Sequence, residues 1–275
     1  MKLCFNAGPQ PIEEYFSFAK ENGFPWMELS CNNPNNFLDK WTPERISGIK
    51  KLRDQAGVKY GLHSASFVNA AEIEPTVRRA VQQHLIDYVE LAHQLEAQYV
   101  VLHFGYLFSL FMDHVFDCLI RTYTPVVELA EKYRLPIGIE NMNKIHEEAE
   151  IAYLGVTIEE LARVFDAIPS KYFGLTLDIA HASLLPGGPE SFMNAFPCRI
   201  VSTHVSDNDL ILDRHIPVGN GKIDFKRVFG NLMKVGFKGT LNIELPRSNE
   251  DRALSKKRLE PILDELGILK EALTP

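Results

Sequence analysis

The sequence predicts an α/β chain folded as a single (β/α)8 TIM barrel, a parallel eight-stranded sheet enclosed by outer helices. Short β-branched or aromatic runs alternate with longer segments of helical period along the whole chain. The length of 275 residues suits eight such units at a period of roughly 30 to 40 residues. Most of the strand-like runs from the third onward end on His, Asp or Glu, residues that a barrel would gather on one face. The expected domain is therefore the whole of 1–275.

The first strand, Lys2 to Asn6, leads into NAGPQPI, which is not the GxGxxG phosphate loop of an open dinucleotide-binding sheet. Trp26 to Leu29 is the second strand, and Thr42-Pro43 then starts a helix with proline at its first position. After the third strand, Lys59 to His63, the segment Val77 to Leu95 repeats Val77, Val81, Leu85, Ile86, Val89 and Leu95 at helical spacing, a face expected against the barrel. Tyr99 to His103 and Ile137 to Glu140 follow as strands, and Thr157-Ile158-Glu159-Glu160 reads as a capping box. Gly174 to Asp178 and Ile200 to Val205 are the sixth and seventh strands. Asp224 caps a helix through Val228, Leu232 and Val235 that Gly236 or Gly239 ends. Thr240 to Glu244 is the eighth strand, and a charged helix runs from about Glu250. Each strand is mostly apolar, as a strand buried on both faces should be.

A hydrophobic content of 45% supports a large core, and a formal charge of -7 supplies no overall positive field for a polyanion, so nucleic acid is disfavoured as a partner. Cys4, Cys31, Cys118 and Cys198 lie far apart without CxxC spacing and read as free thiols. The amino terminus lacks the apolar stretch of a signal peptide. The most apolar segment, VVLHFGYLFSLFM, is too short to span a bilayer, so no membrane association and a cytoplasmic location are expected.

The chemistry concentrates at the strand ends. His63, His103, Glu140 and Asp178 close the third to sixth strands, with His181 just beyond; His204 lies in the seventh, Asp213 and His215 in the loop after it, and Glu244 closes the eighth. Unpaired, such groups would be costly to bury, and a divalent cation compensates carboxylates and imidazoles together. Imidazole and carboxylate without thiolate suit Zn²⁺, Mn²⁺, Fe²⁺ or Co²⁺ better than Ca²⁺ or Mg²⁺. These nine residues exceed what one ion uses, so either several ions bind or some residues handle substrate. His84, His93, His114 and His146 fall on predicted helices or in a loop and take no role.

The pieces IENM, LDIAHA, HVSDND, DRHIPVGNGKIDF and IELP make the chain resemble, over its whole length, the xylose isomerase-like barrel superfamily. There, sugar isomerases and epimerases stand beside endonuclease IV. The epimerase branch implies a metal on Glu140, Asp178, His204 and Glu244, with Glu140 and Glu244 moving a proton beside a carbonyl and His181 contacting the sugar. One ion, Zn or Mn, and a sugar or sugar-phosphate substrate follow from that branch, with a homo-oligomer compatible. The endonuclease branch implies three zinc ions on all nine ligands and action on abasic-site DNA. Ser66 stands where the repair enzymes carry a tyrosine, the loop from His204 to Asp213 is shorter than theirs, and no Arg or Lys cluster lies near the strand ends.

Lesser signals carry plainer readings. Gly219 and Gly221 suit a tight turn before the Asp224 cap better than a phosphate site. Phe67, Phe104, Tyr106 and Phe108 either line a sugar pocket or pack loops; Arg247 meets an anionic substrate or a surface carboxylate.

Overall fold

The computed structural model describes residues 1–107, 112–145, 149–246 and 248–268. The strands are β1 (Lys2–Ala7), β2 (Trp26–Ser30), β3 (Lys59–His63), β4 (Val100–Leu102), β5 (Tyr106–Leu107), β6 (Ile137–Glu140), β7 (Ala152–Tyr153), β8 (Phe173–Asp178), β9 (Ile200–Val205) and β10 (Thr240–Ile243). Eight of them close a parallel barrel in the order β1-β10-β9-β8-β6-β4-β3-β2, while β5 and β7 form a small antiparallel pair. The helices are α1 (Tyr15–Glu21), α2 (Pro43–Ala56), α3 (Pro75–Gln94), α4 (Met112–Tyr133), α5 (Ile158–Ala167), α6 (Ile179–Ser183), α7 (Gly188–Ala195), α8 (Phe225–Lys234) and α9 (Asn249–Glu265). None of the described helices is long and apolar enough to cross a membrane.

Local chemistry sets the helix starts. Thr42 accepts from the Arg45 amide with Pro43 behind it, Thr157 and Glu160 complete a reciprocal capping box, and Asp224 accepts from the Arg227 amide. Each such cap contributes about 1 kcal/mol. Strand ends differ from expectation by a residue or so: Tyr99 and His103 flank β4, and Glu244 follows β10, although its amide still bonds the Val205 carbonyl. Val77, expected against the barrel, is 48% exposed, because it sits in the first turn of α3; the packed face begins one turn on at the partly buried Val81 and is fully buried from Leu85.

Strand alternation divides the interior into two layers. Outward residues meet the helices: the Phe5 ring lies 5.1 Å from Phe18 and 4.8 Å from Phe24, and Phe173 lies 5.2 Å from Phe165 of α5. Toward the axis the strands turn Glu28, Tyr99, Thr176, Ser202, His204 and Asn242, which bond one another. The inner layer is thus polar, where apolar strands on both faces were expected. Glycines make room for it: a Cβ at Gly61 would stand 2.3 Å from the Tyr99 ring, and one at Gly138 2.1 Å from Thr176 Oγ1. All four cysteines are free thiols.

Candidate metal centre

Parallel strands deliver their last inward residues to one end of the barrel. In register, Asp178 of β8 stands beside His204 of β9, and His204 beside Asn242 of β10. All nine strand-end and loop residues singled out above meet there, in three adjoining groups. In the first, Glu140 Oε2 lies 3.0 Å from His103 Nε2 and 3.3 Å from His63 Nε2. In the second, His204 Nδ1 lies 3.0 Å from Glu244 Oε2, 3.2 Å from Glu140 Oε1 and 4.0 Å from Asp178 Oδ2. In the third, Asp213 Oδ2 lies 3.2 Å from both His181 Nε2 and His215 Nε2. Glu140 belongs to two groups.

Four of the imidazoles share one arrangement, with one ring nitrogen tied to the protein and the other left facing the cluster. His63 Nδ1 meets the Ser64 carbonyl at 2.7 Å, His181 Nδ1 the Asn141 carbonyl at 2.8 Å, and His215 Nδ1 the Ser206 hydroxyl at 3.2 Å. His204 is turned the other way: its Nε2 meets the Glu28 carboxylate at 3.0 Å, leaving Nδ1 inward. Such backing orients imidazoles that ligate metals. Asp178 Oδ2, His204 Nδ1 and Asp213 Oδ1 are buried without any hydrogen-bond partner, although nearly every buried polar atom in a native protein has one. Converging orphaned donors of hard and borderline type fit a divalent cation.

Without a cation the groups compensate one another electrostatically. Burial pushes Asp178 up to about 6, an effect that His181 and His215 only partly oppose. Burial acts the same way on Glu244, but the His204 charge beside it brings it down to about 2. Glu140 lies well below the usual carboxylate range because His204 and His103 outweigh its desolvation. Conversely, desolvation would lower the histidines, yet Asp178 and Asp213 raise His181 to about 10, and Asp213, Asp178 and Glu244 raise His215 to about 9. His204 is raised well above its ordinary value by Glu244, Glu140 and Glu28.

Two cavities open onto the cluster. One of about 210 Å³ is lined by His63, Ser66, His103, Tyr153 and His181 among others; the second, about 470 Å³, is lined by Asn6, Ser30, Asn32, Asn33 and Arg214. Asp213, His215 and Glu244 line both. Of the aromatics considered for a sugar pocket, Phe104 is fully buried, Phe67 is 57% exposed against Phe37, and Tyr106 lines neither cavity but pairs in β5 with Tyr153, which lines the smaller one. Gly219 and Gly221 direct their amides to Asp207 Oδ2, both at 2.9 Å, which ties the turn and leaves no amide pair for a phosphate. His84, His93 and His114 lie on α3 and α4 outside every described metal-competent group. Phe108, His146 and Arg247 lie outside the described residues.

Two residues were missed in the sequence reading. Asn141 bonds both the amide and the carbonyl of Asp178 through its side chain and holds His181 through its own carbonyl. Glu28 backs His204. The signal for Glu28 was present: a charged residue in the middle of an apolar strand is rarely buried without a partner.

A family model described as a xylose isomerase-like TIM barrel matches residues 16–272. An uncharacterized protein of Methanocaldococcus jannaschii is 30% identical over 263 residues, covering 93% of this chain and 86% of its own. Fructoselysine 3-epimerase of Escherichia coli O157:H7 is 22% identical over 271 residues, 93% of this chain and 94% of that one. Among solved structures, a D-tagatose 3-epimerase-like protein superposes with a TM-score of 0.87 and 28% identity, over 99% of this chain and 100% of that chain.

Proposed function

The chain belongs to the xylose isomerase-like TIM-barrel family, and from that premise we propose that it is a divalent-metal-dependent isomerase or epimerase of a sugar or sugar phosphate. The observation that carries the reading is the four-donor group: Glu140, Asp178, His204 and Glu244 offer atoms all within 4.8 Å of one another, beside a cavity lined by amides and hydroxyls. Relatives and neighbours named as 3-epimerases support the same substrate class.

Those four residues would hold Zn²⁺ or Mn²⁺, which when bound would supply Lewis acidity toward a substrate carbonyl. Glu244, which lines both cavities, would take the proton from the carbon beside that carbonyl, and Glu140, which must then carry a proton in the substrate complex, would return one to the opposite face. His181, its Nδ1 tied to Asn141, presents Nε2 toward the substrate oxygens. Asn6, Ser30 and Asn32 offer hydrogen bonds to hydroxyl groups.

A second reading, a zinc phosphodiesterase acting on abasic-site DNA, is favoured by one observation: the nine residues form three adjoining groups, two of which share Glu140. Against it, Arg214 is the sole Lys or Arg among the described residues lining the two cavities, and it is already paired with Asp209. Elemental analysis separates the readings first, near one ion per chain favouring the isomerase and near three zinc the nuclease. Incubating a ketose panel in deuterated water should then give carbon-bound deuterium; no exchange together with nicking of abasic DNA would reverse the ranking. Glu244→Gln should abolish the activity in either case.

A further inference from the structure

Beneath the four-donor group, on the axial side away from those two cavities, lies a hydrogen-bonded column centred on a buried carboxylate. Glu28 is fully buried at its centre. Its Oε1 accepts from His204 Nε2 at 3.0 Å and from Asn242 Nδ2 at 2.8 Å, and its Oε2 accepts from the Tyr99 hydroxyl at 3.0 Å. Tyr99 in turn accepts from Thr240 Oγ1 at 3.2 Å. The absence of a side chain at Gly61 opens the space for the Tyr99 ring, which stacks on Trp26 at 6.5 Å.

Glu28, His63 and His204 come close enough to form a metal-competent group of their own. The hydrogen-bond inventory argues against a ligand role for Glu28. An Asn amide nitrogen only donates, and the Tyr99 hydroxyl, which accepts from Thr240, donates to Glu28. Both oxygens of Glu28 are therefore engaged as acceptors, and a cation seated there would abut the Asn242 donor. The remaining contact requires His204 Nε2 to carry its hydrogen. In the neutral imidazole that ligation requires, this leaves the Nδ1 lone pair directed at Glu140, Asp178 and Glu244.

We propose that Glu28 is a positioning residue that fixes the tautomer and ring orientation of His204, so that Nδ1 serves the four-donor metal group. This rests on the metal-dependent reading above. Of the four imidazoles backed in this way, His63, His181 and His215 use carbonyl or hydroxyl oxygens and His204 alone uses a carboxylate. A carboxylate both orients the ring and raises its basicity as a ligand. Glu28 thus acts on the metal through His204 alone, without touching substrate.

Glu28→Gln keeps the shape but introduces a donor. With its oxygen toward His204 and Asn242 the neutral amide still accepts from Nε2 but no longer raises the basicity of Nδ1; with its NH₂ there, Nε2 must accept, the hydrogen moves to Nδ1, and the lone pair aimed at the metal is lost. Cobalt and zinc affinity, measured by chelator competition on full-length protein, should fall by ~10- to 100-fold, with an altered cobalt absorption band and an unchanged circular dichroism spectrum. In a His204→Ala background the same substitution should produce no further loss, since the residue through which it acts is gone. Unchanged affinity and cobalt spectrum in Glu28→Gln, or a full loss persisting in His204→Ala, would overturn the proposal. If Glu28→Gln does not fold, Glu28→Asp retains the charge with a shorter reach, and the same pair of outcomes decides. Wild-type protein that takes up no metal fails the functional reading as well; normal wild-type uptake with an indifferent Glu28→Gln fails this inference alone.

Discussion

Filling the cluster with metal must drive protons from its histidines, and the structure sets how many. Ligation requires neutral imidazole. In the metal-free protein the surrounding carboxylates hold His204 well above its ordinary range, His181 at about 10 and His215 at about 9, so all three are protonated at pH 7. Occupying the four-donor group displaces the His204 proton, about one per chain; occupying the His181, Asp213 and His215 group displaces about two more. Each displaced proton steepens the affinity by about tenfold per pH unit. The four-donor group should therefore gain ~1.4 kcal/mol per pH unit and the outer group ~2.8 kcal/mol per pH unit between pH 7 and 8, where Asp178, at about 6, is already mostly ionised. Calorimetric titration of zinc or manganese in buffers of different ionisation enthalpy counts the protons directly. The count also reports which groups fill. An affinity that stays flat from pH 7 to 8, with no proton released, would refute the reasoning.

Stability of the metal-free protein should show the same linkage. His181 and His215 have folded values of about 10 and 9, above the ordinary ~6.5, so their contribution is complete below that pH and is lost as pH rises through the folded values. Urea unfolding should show stability declining from pH 7 to 10, and a rise over that range contradicts the assignment. Asn141→Ala strips the partner from the buried Asp178 amide and should cost about 1–3 kcal/mol, read as a lower Tm; an unchanged Tm would mean that water replaces the amide. Gly61→Ala drives a methyl into the Tyr99 ring and should cost about 1–3 kcal/mol or more, together with weaker metal uptake. Removing the capping box through Thr157→Ala should cost only about 1 kcal/mol and leave metal uptake intact, a control for lesions remote from the cluster.

Much of the architecture was legible because it depends on signals local to each segment. Alternating strand and helix periods, the Thr42, Thr157 and Asp224 caps and the missing phosphate loop belong to short stretches of chain, and each found its structural counterpart. The candidate ligands were legible for a related reason: parallel closure carries every strand end to one face, so order along the chain becomes proximity at the rim. Even so, strand ends were misjudged by a residue at β4 and β10, where His103 and Glu244 leave the ladder to face the cluster.

The barrel's interior was not legible in this way. Mostly apolar strands suggested apolar faces on both sides, yet the inner face is a hydrogen-bonded column of Glu28, Tyr99, His204 and Asn242, whose members lie as far apart in sequence as residues 28 and 242. Polar side chains at single positions carry no local sign that they will satisfy one another across the axis. By itself the sequence determined the strands, the helix caps and the residue types delivered to the rim. Tertiary structure alone decided which nitrogen of each imidazole faces the cluster, that Glu140 is shared between two groups, and that Glu28 lies behind His204. Those choices depend on distances of about 3 Å between strands, which barrel closure and register set and no single segment encodes.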